Sequence, residues 1–339
     1  MSTRREFVVR AAATGVLGAA TAPFERIMTK GSIETRIGTS KIPNTDLVVS
    51  RIAYGCGSLV PYNREPLHSD DIAKAATLIN TAYDNGITLF DLGDMYGFGK
   101  SETAFGEVLH QSPGLRGKLV IQSKCGFVQS QLYDCSYEHI VHSAEGSLRR
   151  LNTDRLDILL LHVSDALVEP EEVAAAFDEL KRSGKVLQFG VSNHLASEIE
   201  LLRKYVRQSL VVNQVPLGLG QAAGIADGTT LNYCRQHDIQ VQAYSPLRGN
   251  LFDPPADATP ETKDLARELS SLASEKNASP AAVALAWLLR HPAGIVPVIG
   301  ATKPEHVIED CAAGRLTMSR SEWYALYGAA AKMQHLALL

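Results

Sequence analysis

Four residues in the first half of the chain have side chains that could move a proton together: Asp91, Tyr96, Lys124 and His162. The phenol of a free tyrosine has a pKa near ~10, so it is a poor proton donor at neutral pH. An ammonium such as that of Lys124 would lower this pKa by stabilising the phenolate, and Asp91 could hold the ammonium charged and oriented. His162 could orient a carbonyl oxygen or relay the proton. The four residues therefore predict proton transfer to a carbonyl group that is being reduced by hydride.

Each of these residue types has a simpler interpretation when it is taken alone. A histidine at a strand end is often an ordinary hydrogen-bonded side chain, and a lysine there is often a charge on the rim. A tyrosine in a glycine-rich loop often only packs. None of these interpretations explains why all the residues fall near the ends of three successive predicted strands, which favours a catalytic role.

Short runs of apolar and β-branched residues predict eight strands after residue 35. The runs are Ser50–Tyr54, Thr88–Asp91, Leu119–Ser123, Leu156–Leu161, Val186–Val191, Leu210–Asn213, Ile239–Ala243 and Ile295–Ile299. Asp91 ends the second run, Lys124 follows the third, and His162 follows the fourth. Three strands would thus deliver these side chains to one place if their carboxyl ends meet.

Segments with a helical period lie between several of the runs. They are Asp71–Asp84, Tyr137–Leu151, Glu171–Ser183 and Ala281–Arg290. Asn85-Gly86 and Ser183-Gly184 are typical of helix C-termini, and Ser279-Pro280 is typical of a helix N-terminus. Two long segments, Gly218–Gly228 and Leu247–Thr262, predict loops that shape the substrate side of the site.

Eight strands that alternate with helices fit a closed α/β barrel of the (β/α)8, or TIM, type better than an open doubly wound sheet. In such a barrel the carboxyl ends of all strands share one rim, where the chemistry takes place. We expect the barrel to span residues 35–339 and residues 1–34 to form a leader and linker.

Composition narrows the class of partner. The 339 residues carry a formal net charge of −4 with both signs interspersed, which does not favour nucleic acid. The sequence has no apolar run near 20 residues, so we expect no membrane span.

The five cysteines form no Cys-x-x-Cys pair and are expected to be buried thiols: Cys56, Cys125, Cys135, Cys234 and Cys311. His110, His142 and His162 lack the spacing of metal ligands, so we expect no metal site.

The first residues differ from the rest of the chain. Arg4-Arg5 precedes Phe7, and a stretch rich in Ala and Gly leads to Ala20-Thr21-Ala22, which offers a small-x-small cleavage site. This pattern resembles a twin-arginine signal, which is used to export folded proteins. It predicts export through the twin-arginine machinery to the periplasm. The alternative is an amphipathic extension on a cytoplasmic protein, which Arg10 and the five thiols favour.

The stretch from Phe90 to Glu102, FDLGDMYGFGKSE, resembles the signature of the aldo-keto reductase superfamily. Ser123-Lys124, Leu161-His162 and the run from Gly190 to Asn193 follow in the order and spacing of that family. The resemblance implies a (β/α)8 barrel and an extended nicotinamide cofactor bound without a Rossmann domain. No Gly-x-Gly-x-x-Gly follows a predicted strand, in agreement. The sequences at residues 123–126 and 318–323 look closest to a bacterial group of broadly acting reductases.

The resemblance also implies a role for individual residues. Asp91, Tyr96, Lys124 and His162 match the family's catalytic tetrad. Further residues match those that hold the cofactor: Ser192, Asn193 and Gln214 at the nicotinamide carboxamide, Tyr244 stacked on the nicotinamide ring, and Ser245, Leu247 and Gly249 along the pyrophosphate.

The adenine end of the cofactor is less clear from the sequence. The matching segment contains Gly300, Thr302, Lys303, Glu309 and Asp310. Lys303 and the start of the following helix could hold a 2′-phosphate, which favours NADP(H), with NAD(H) as the alternative. Some relatives have a lysine at the place of Gly300. Many have an arginine where this chain has His306 and an asparagine where it has Asp310.

The resemblance thus implies reduction of an aldehyde or ketone by NAD(P)H, or the reverse oxidation of an alcohol or sugar, with Tyr96 as proton donor. The substrate is a small molecule that the sequence does not identify, because Val163-Ser164 departs from the polar pair that relatives often have after the histidine. The alternative is a nicotinamide-binding, redox-sensing regulatory protein with little turnover.

Overall fold

The structure is a computed structural model that describes residues 37–63, 65–129, 132–249 and 251–336. The predicted leader over residues 1–34 lies outside these described residues.

The described part of the chain contains short strands and longer helices in alternation. The strands are β1 (Thr39–Lys41), β2 (Val48–Ser50), β3 (Ala53–Gly55), β4 (Leu89–Asp91), β5 (Val120–Cys125), β6 (Phe127–Gln129), β7 (Leu132–Tyr133), β8 (Leu156–Leu161), β9 (Val186–Ser192), β10 (Leu210–Pro216), β11 (Gln240–Tyr244) and β12 (Val296–Ile299). The helices are α1 (Ser69–Asp84), α2 (Lys100–Gln111), α3 (Tyr137–Leu151), α4 (Pro170–Arg182), α5 (Ala196–Tyr205), α6 (Ala223–Asp227), α7 (Thr229–Gln236), α8 (Pro260–Glu275), α9 (Pro280–Leu289), α10 (Pro304–Cys311) and α11 (Arg320–Met333). Three 3₁₀ helices span Cys56–Ser58, Arg116–Lys118 and Ala312–Arg315.

Eight of the strands close into one parallel barrel in the order β10-β11-β12-β3-β4-β5-β8-β9. Helices connect the successive strands, so the fold is a (β/α)8 TIM barrel, and the fold prediction is confirmed. β1 and β2 form a separate antiparallel hairpin that precedes the barrel, and β6 pairs with β7 directly after β5.

Side chains of the barrel strands alternate between the interior and the helical layer, as the pleat of a strand requires. A small apolar cluster includes Leu89, Ile158, Leu160 and Val212, together with Val49 of the β1–β2 hairpin. A much larger cluster joins the outward faces of the strands to the helices. Polar side chains replace the apolar ones farther along the same strands, toward their carboxyl ends.

The first predicted strand, Ser50–Tyr54, is wrong in its bounds. Ser50 ends β2, and the barrel strand β3 begins only at Ala53. The Ser50 hydroxyl donates to the Ile52 carbonyl at 2.6 Å, and it also accepts from the Thr88 amide at 2.9 Å. These side-chain bonds turn the chain between the two strands, and the pattern of apolar residues does not reveal them.

The two long predicted loops are partly helical. The segment Gly218–Gly228 contains α6, and the segment Leu247–Thr262 ends in the first turn of α8. The Thr259 hydroxyl accepts from the Thr262 amide at the start of α8, a helix N-cap that the proline-rich composition concealed. The predicted caps at Asn85-Gly86, at Ser183-Gly184 and at Ser279 are present.

All five cysteines are buried and unpaired, as expected. Within the described ranges, we find no helix with both the length and the apolar character needed to cross a membrane.

Candidate active site

A buried lysine connects a carboxylate to a phenol at the carboxyl ends of β4 and β5. Lys124 Nζ donates to Asp91 Oδ2 at 2.6 Å, and it lies 2.9 Å from the Tyr96 hydroxyl oxygen. A third bond from Nζ reaches the Leu92 carbonyl oxygen at 2.8 Å, so all three of its hydrogens have acceptors. Tyr96 lies in the loop between β4 and α2 rather than on a strand. The predicted Asp–Lys–Tyr arrangement is therefore present in the structure.

Burial and charge oppose each other at this lysine and tyrosine. Burial alone would lower the pKa of Lys124, but the negative charge of Asp91, the interaction with Tyr96 and the hydrogen bonds to both residues raise it above its usual range. Burial raises the pKa of Tyr96, and Lys124 reverses only part of that increase. The expected net lowering of the Tyr96 pKa is thus wrong for the structure described here. Tyr96 remains a neutral phenol at pH 7, beside an ammonium that would stabilise a negative charge on its oxygen.

His162 lies directly after β8, against Tyr96. The two rings meet edge to face, with centroids 5.7 Å apart, and Phe127 packs on His162 in the same manner at 4.8 Å. Burial and the nearby Lys124 lower the pKa of His162 to about 3, so the ring is neutral. Nδ1 is buried without a hydrogen-bond partner among the described residues, so Nε2 is the ring nitrogen that can meet a ligand in the cavity that His162 lines.

A cavity of about 960 Å³ opens at this rim. Its walls come from the ends of the barrel strands and the loops that follow them. Residues that line it include Asp91, Tyr96, Phe127, His162, Val163, Ser192, Asn193, Gln214, Tyr244, Ser245, Leu247, Arg248, Gly300, His306, Glu309 and Asp310. The volume is at the upper end of the range for small-molecule sites, so the cavity is large enough for an extended ligand.

The four residues predicted at a carboxamide and a nicotinamide ring lie together in this cavity. The Ser192 hydroxyl and the backbone N–H of Asn193 both donate to the backbone carbonyl oxygen of Gln214, each at 2.9 Å. The Tyr244 hydroxyl donates to Asn193 Oδ1 at 2.9 Å. Asn193 has a left-handed backbone with φ of 60°, which turns the chain sharply at the end of β9. The structure therefore brings these side chains to one wall.

The residues predicted along the pyrophosphate are divided. Ser245 and Leu247 line the cavity, and so does Arg248, which the sequence interpretation did not include. Gly249 is adjacent in sequence but does not line the cavity, and its φ of 121° is in the region that favours glycine. Arg248 provides a cation at the place where a pyrophosphate was expected.

At the far end of the cavity, the structure brings Gly300, Glu309 and Asp310 to the lining, together with His306. Thr302 lines a neighbouring groove instead, and Lys303 lines neither, although it directly precedes α10 as its N-cap. Burial, and secondarily the charge of Glu309, raise the pKa of Asp310 to about 7. At pH 7 the Asp310 carboxyl is therefore only partly ionised, so this end of the cavity has less negative charge than two full carboxylates would give it.

Two inward-facing glutamines were missed. Gln122 precedes Lys124 by two positions, and Gln242 precedes Tyr244 by two, so strand alternation places each on the same face as its neighbour. Both are fully buried. A polar residue two positions before a candidate site residue on a barrel strand was the signal that could have revealed them.

Two further acids, Asp94 and Glu102, lie close to Tyr96 in the sequence. Glu102 is fully buried, accepts from the Ser123 hydroxyl at 2.6 Å and pairs with Arg150 at 2.7 Å. Asp94 does not line the cavity, and its Oδ1 is buried without a partner in the described part of the chain. Asp94 lies in the Tyr96 loop itself, and Glu102 lies on α2, which begins directly after that loop.

Comparison with known proteins identifies the class. Residues 53–330 match the model of the Aldo/keto reductase family, so the chain belongs to this family. It is 37% identical over 294 residues to the uncharacterized oxidoreductase YcsN of Bacillus subtilis (strain 168), which covers 84% of this chain and 95% of the relative. It is 36% identical over 295 residues to 6-dehydroglucose reductase of Agrobacterium fabrum (strain C58), with coverage of 83% and 94%.

A solved structure agrees with this assignment. The thermostable aldo-keto reductase Tm1743, crystallised with the inhibitor epalrestat, superposes with a TM-score of 0.75 at 25% identity and covers 86% of this chain and 99% of its own. The protein is therefore an oxidoreductase that acts on carbonyl or CH–OH groups. Its family membership supports a nicotinamide cofactor.

Proposed function

We propose that this protein reduces an aldehyde or ketone with NAD(P)H and that Tyr96 is the proton donor. The observation that carries the proposal is the bridge from Asp91 through Lys124 to the Tyr96 hydroxyl, at 2.6 and 2.9 Å, with His162 against the same tyrosine. The reduced cofactor supplies hydride to the carbonyl carbon when it is bound.

The protein's own residues supply the proton and position the carbonyl. His162 Nε2–H donates to the carbonyl oxygen, and the Tyr96 hydroxyl gives its proton to that oxygen as negative charge develops there. Lys124 stabilises the phenolate that remains, and Asp91 keeps Lys124 charged. In the reverse direction, oxidation of an alcohol, Tyr96 accepts the proton.

The cavity residues fit the nicotinamide end of the cofactor. Gln214 Oε1 has no hydrogen-bond partner among the described residues, and Gln214 lines the cavity, so it offers an acceptor for an amide N–H. Ser192 and Asn193 add polar atoms beside it, and Tyr244 supplies a ring for stacking. Ser245, Leu247 and the cation of Arg248 would lie along the pyrophosphate, with Gly249 as the next residue of the same loop.

For the adenine end we propose NADP(H), held at a 2′-phosphate by Lys303 and the N-terminus of α10, beside Gly300 and Thr302. The carboxyl groups of Glu309 and Asp310 in the lining favour the alternative, NAD(H), because a carboxylate binds a ribose hydroxyl better than it binds a phosphate. Comparing kcat/KM for the two cofactors, in the native protein and in Lys303→Ala, tests this proposal. A preference for NADPH that Lys303→Ala removes is expected, and a preference for NADH would overturn it.

The substrate is proposed to be a small carbonyl compound or the corresponding alcohol or sugar. Phe127 and Val163 make the wall near His162 apolar, while the rim is open to solvent. The similarity to a 6-dehydroglucose reductase makes keto sugars one class to include, beside simple aldehydes and ketones.

The test is the loss of absorbance at 340 nm with NADPH or NADH and a panel of aldehydes, ketones and keto sugars, beside Tyr96→Phe. Turnover in the native protein that the variant loses supports the proposal. Tight cofactor binding without turnover on any substrate would instead favour the redox-sensing regulatory protein.

We further propose that residues 1–34 are a twin-arginine leader, that the barrel domain spans residues 35–339, and that the folded protein is exported to the periplasm with its cofactor bound. Cell fractionation of the native chain beside a variant with Arg4→Lys and Arg5→Lys tests this. A shortened periplasmic protein that the variant retains in the cytoplasm at full length is the expected result. A full-length cytoplasmic protein in both strains would favour the cytoplasmic alternative.

A further inference from the structure

Beneath the cavity, three glutamines from three different strands surround the catalytic candidate Asp91. Gln122 lies on β5, Gln214 on β10 and Gln242 on β11, and the exposed fraction of each side chain is at most 2%. Buried amides must have hydrogen-bond partners, so the orientation of each one is decided by its neighbours.

The charge of Asp91 decides which end of two of the amides faces it. A carboxylate only accepts hydrogen bonds, so a neighbouring amide must present its nitrogen. Gln122 Nε2 lies 2.6 Å from Asp91 Oδ1, and Gln214 Nε2 lies 2.9 Å from the same oxygen. The other oxygen of Asp91 is used by Lys124.

Gln242 accepts the remaining hydrogens of these two amides. Its Oε1 lies 2.8 Å from Gln122 Nε2 and 3.0 Å from Gln214 Nε2. Its own Nε2 donates back to Gln122 Oε1 at 3.0 Å. If Gln242 were turned over, two NH₂ groups would face its NH₂ group, so the Gln122–Gln242 pair holds a single orientation.

Among the side-chain oxygens of the three glutamines, Gln214 Oε1 is the one that accepts no hydrogen bond from the described residues. Both hydrogens on Gln214 Nε2 are used below, toward Asp91 and Gln242, so the oxygen is left for the cavity that Gln214 lines. An acceptor held in this way selects a ligand that carries an N–H group.

We propose that Gln122 and Gln242 are positioning residues that fix the side-chain oxygen of Gln214 toward the cavity as the acceptor for the N–H of the nicotinamide carboxamide. The inference rests on the proposed nicotinamide site. It adds that two residues which do not line the cavity set the selectivity of this site, and that they do so through the same carboxylate that holds Lys124.

The prediction concerns selectivity rather than activity. A cofactor analogue with an acetyl group in place of the carboxamide has a carbonyl but no N–H to donate. We expect the native protein to bind the oxidised cofactor about tenfold more tightly than its 3-acetylpyridine analogue, the effect of about one hydrogen bond. In Gln242→Met, Gln214 Nε2 loses one of its two acceptors and is held by Asp91 alone, so its oxygen is fixed less firmly and we expect the preference to fall below about threefold.

The experiment is a calorimetric titration of each protein with NADP⁺ or NAD⁺, whichever binds more tightly, and with the 3-acetylpyridine analogue of the same nucleotide. The ratio of the two Kd values is taken on one preparation, so a reduced folded fraction cancels. Gln122→Met is the second variant, because it removes the partner that orients Gln242. Gln240→Met is the control: Gln240 is a buried glutamine on β11 with no hydrogen bond to Asp91 or Gln214 among the described residues, and it meets the three amides only through a long bond of 3.5 Å that it accepts from Gln242 Nε2.

A loss of preference in Gln242→Met and Gln122→Met, but not in Gln240→Met, is the expected result. The same loss in all three variants, or an unchanged ratio in the first two, overturns the positioning role. A native protein that binds both compounds equally overturns it as well, and it leaves carbonyl reduction intact if turnover at 340 nm is present. A native protein that binds neither compound refutes the proposed function itself.

Discussion

The ammonium of Lys124 is 2.6 Å from the Asp91 carboxylate, and the exposed fraction of either side chain is no more than 3%. Two opposite charges are therefore held out of water at the point where the chain also places the Tyr96 hydroxyl. Their mutual attraction has to offset the desolvation of both groups. A buried ion pair of this kind adds little to the free energy of unfolding, although loss of only one of its charges is strongly destabilising.

Removal of one charge should destabilise the protein more than removal of both. Lys124→Met leaves the Asp91 carboxylate buried without its partner, which we expect to lower the free energy of unfolding by about 3–5 kcal/mol. The double variant Asp91→Asn with Lys124→Met should recover much of that loss, because Asn keeps an oxygen for the glutamine amides. Urea unfolding of the two variants measures the difference.

The matched control is Lys185→Met, which removes a half-exposed lysine paired with Glu145 at 2.6 Å. An ion pair of that exposure contributes less than about 1 kcal/mol. If the double variant is as unstable as Lys124→Met, the buried charge is not the source of the loss.

The neutral ring of His162 predicts that this residue adds no acid limb to the pH profile of the reaction. Because burial and Lys124 lower its pKa to about 3, His162 does not titrate between pH 5 and pH 8. The kcat/KM for a carbonyl substrate should therefore show no acid limb with a midpoint near ~6.5, the usual value for histidine. His162→Leu removes the Nε2–H donor and should lower kcat/KM by about 10²–10³ without changing the shape of the profile.

His162→Gln is the control for this prediction, because its amide retains an N–H donor and should restore part of the activity. An acid limb near pH 6.5 in the native protein that disappears in both variants would mean that His162 acts as a titrating acid instead.

Asp94 predicts a pH dependence of stability. Burial, with the charge of Glu102 second, raises the pKa of Asp94 to about 7. The native state then holds a proton between about pH 4 and pH 7 that the unfolded state has released, so this group's contribution to stability is lost as the pH rises through 7. Asp94→Asn removes the dependence. The variant should gain stability relative to the native protein between pH 5 and pH 8.5, on the order of 1–3 kcal/mol.

Urea unfolding of both proteins at each pH measures this difference. Comparing the two proteins at the same pH cancels His162, whose lowered pKa acts in the opposite direction: the unfolded state binds its proton between about pH 3 and 6.5, so stability falls as the pH falls. The same comparison cancels the contribution of Asp310, whose raised pKa is the same in both proteins. Parallel stability curves for the two proteins would show that Asp94 is ionised in the native state at neutral pH.

The sequence was sufficient to predict the barrel and to bring four side chains to one rim, namely Asp91, Tyr96, Lys124 and His162. Strand periodicity and position along a strand are local properties, so both can be read from the chain. It was not sufficient for the direction of the Tyr96 pKa, since the burial that raises it depends on residues far away in the chain. The Gln122–Gln242 pair joins positions 120 residues apart and exists only once the barrel closes. The position of each glutamine two residues before a candidate site residue indicates an inward-facing side chain, but it does not reveal the partner that the side chain meets.

Replacing a helical glycine by alanine should have opposite effects on stability in α2 and in α11. Gly106 lies where α2 approaches the end of α3, whereas Gly328 of α11 has open space beside it. A Cβ atom on Gly106 would lie 2.2 Å from the Arg150 carbonyl oxygen, and 2.9 Å from the Leu151 carbonyl carbon, both of which are backbone atoms that cannot turn away. Gly106→Ala should therefore lower the free energy of unfolding by at least about 1–3 kcal/mol. It should also lower kcat, because α2 begins directly after the Tyr96 loop. In α11, a Cβ atom on Gly328 meets no atom within 4 Å, so Gly328→Ala should raise stability by about 0.5–1 kcal/mol through helix propensity alone. Urea unfolding and turnover of the two variants side by side test this contrast, and equal effects at both positions would rule out the steric explanation.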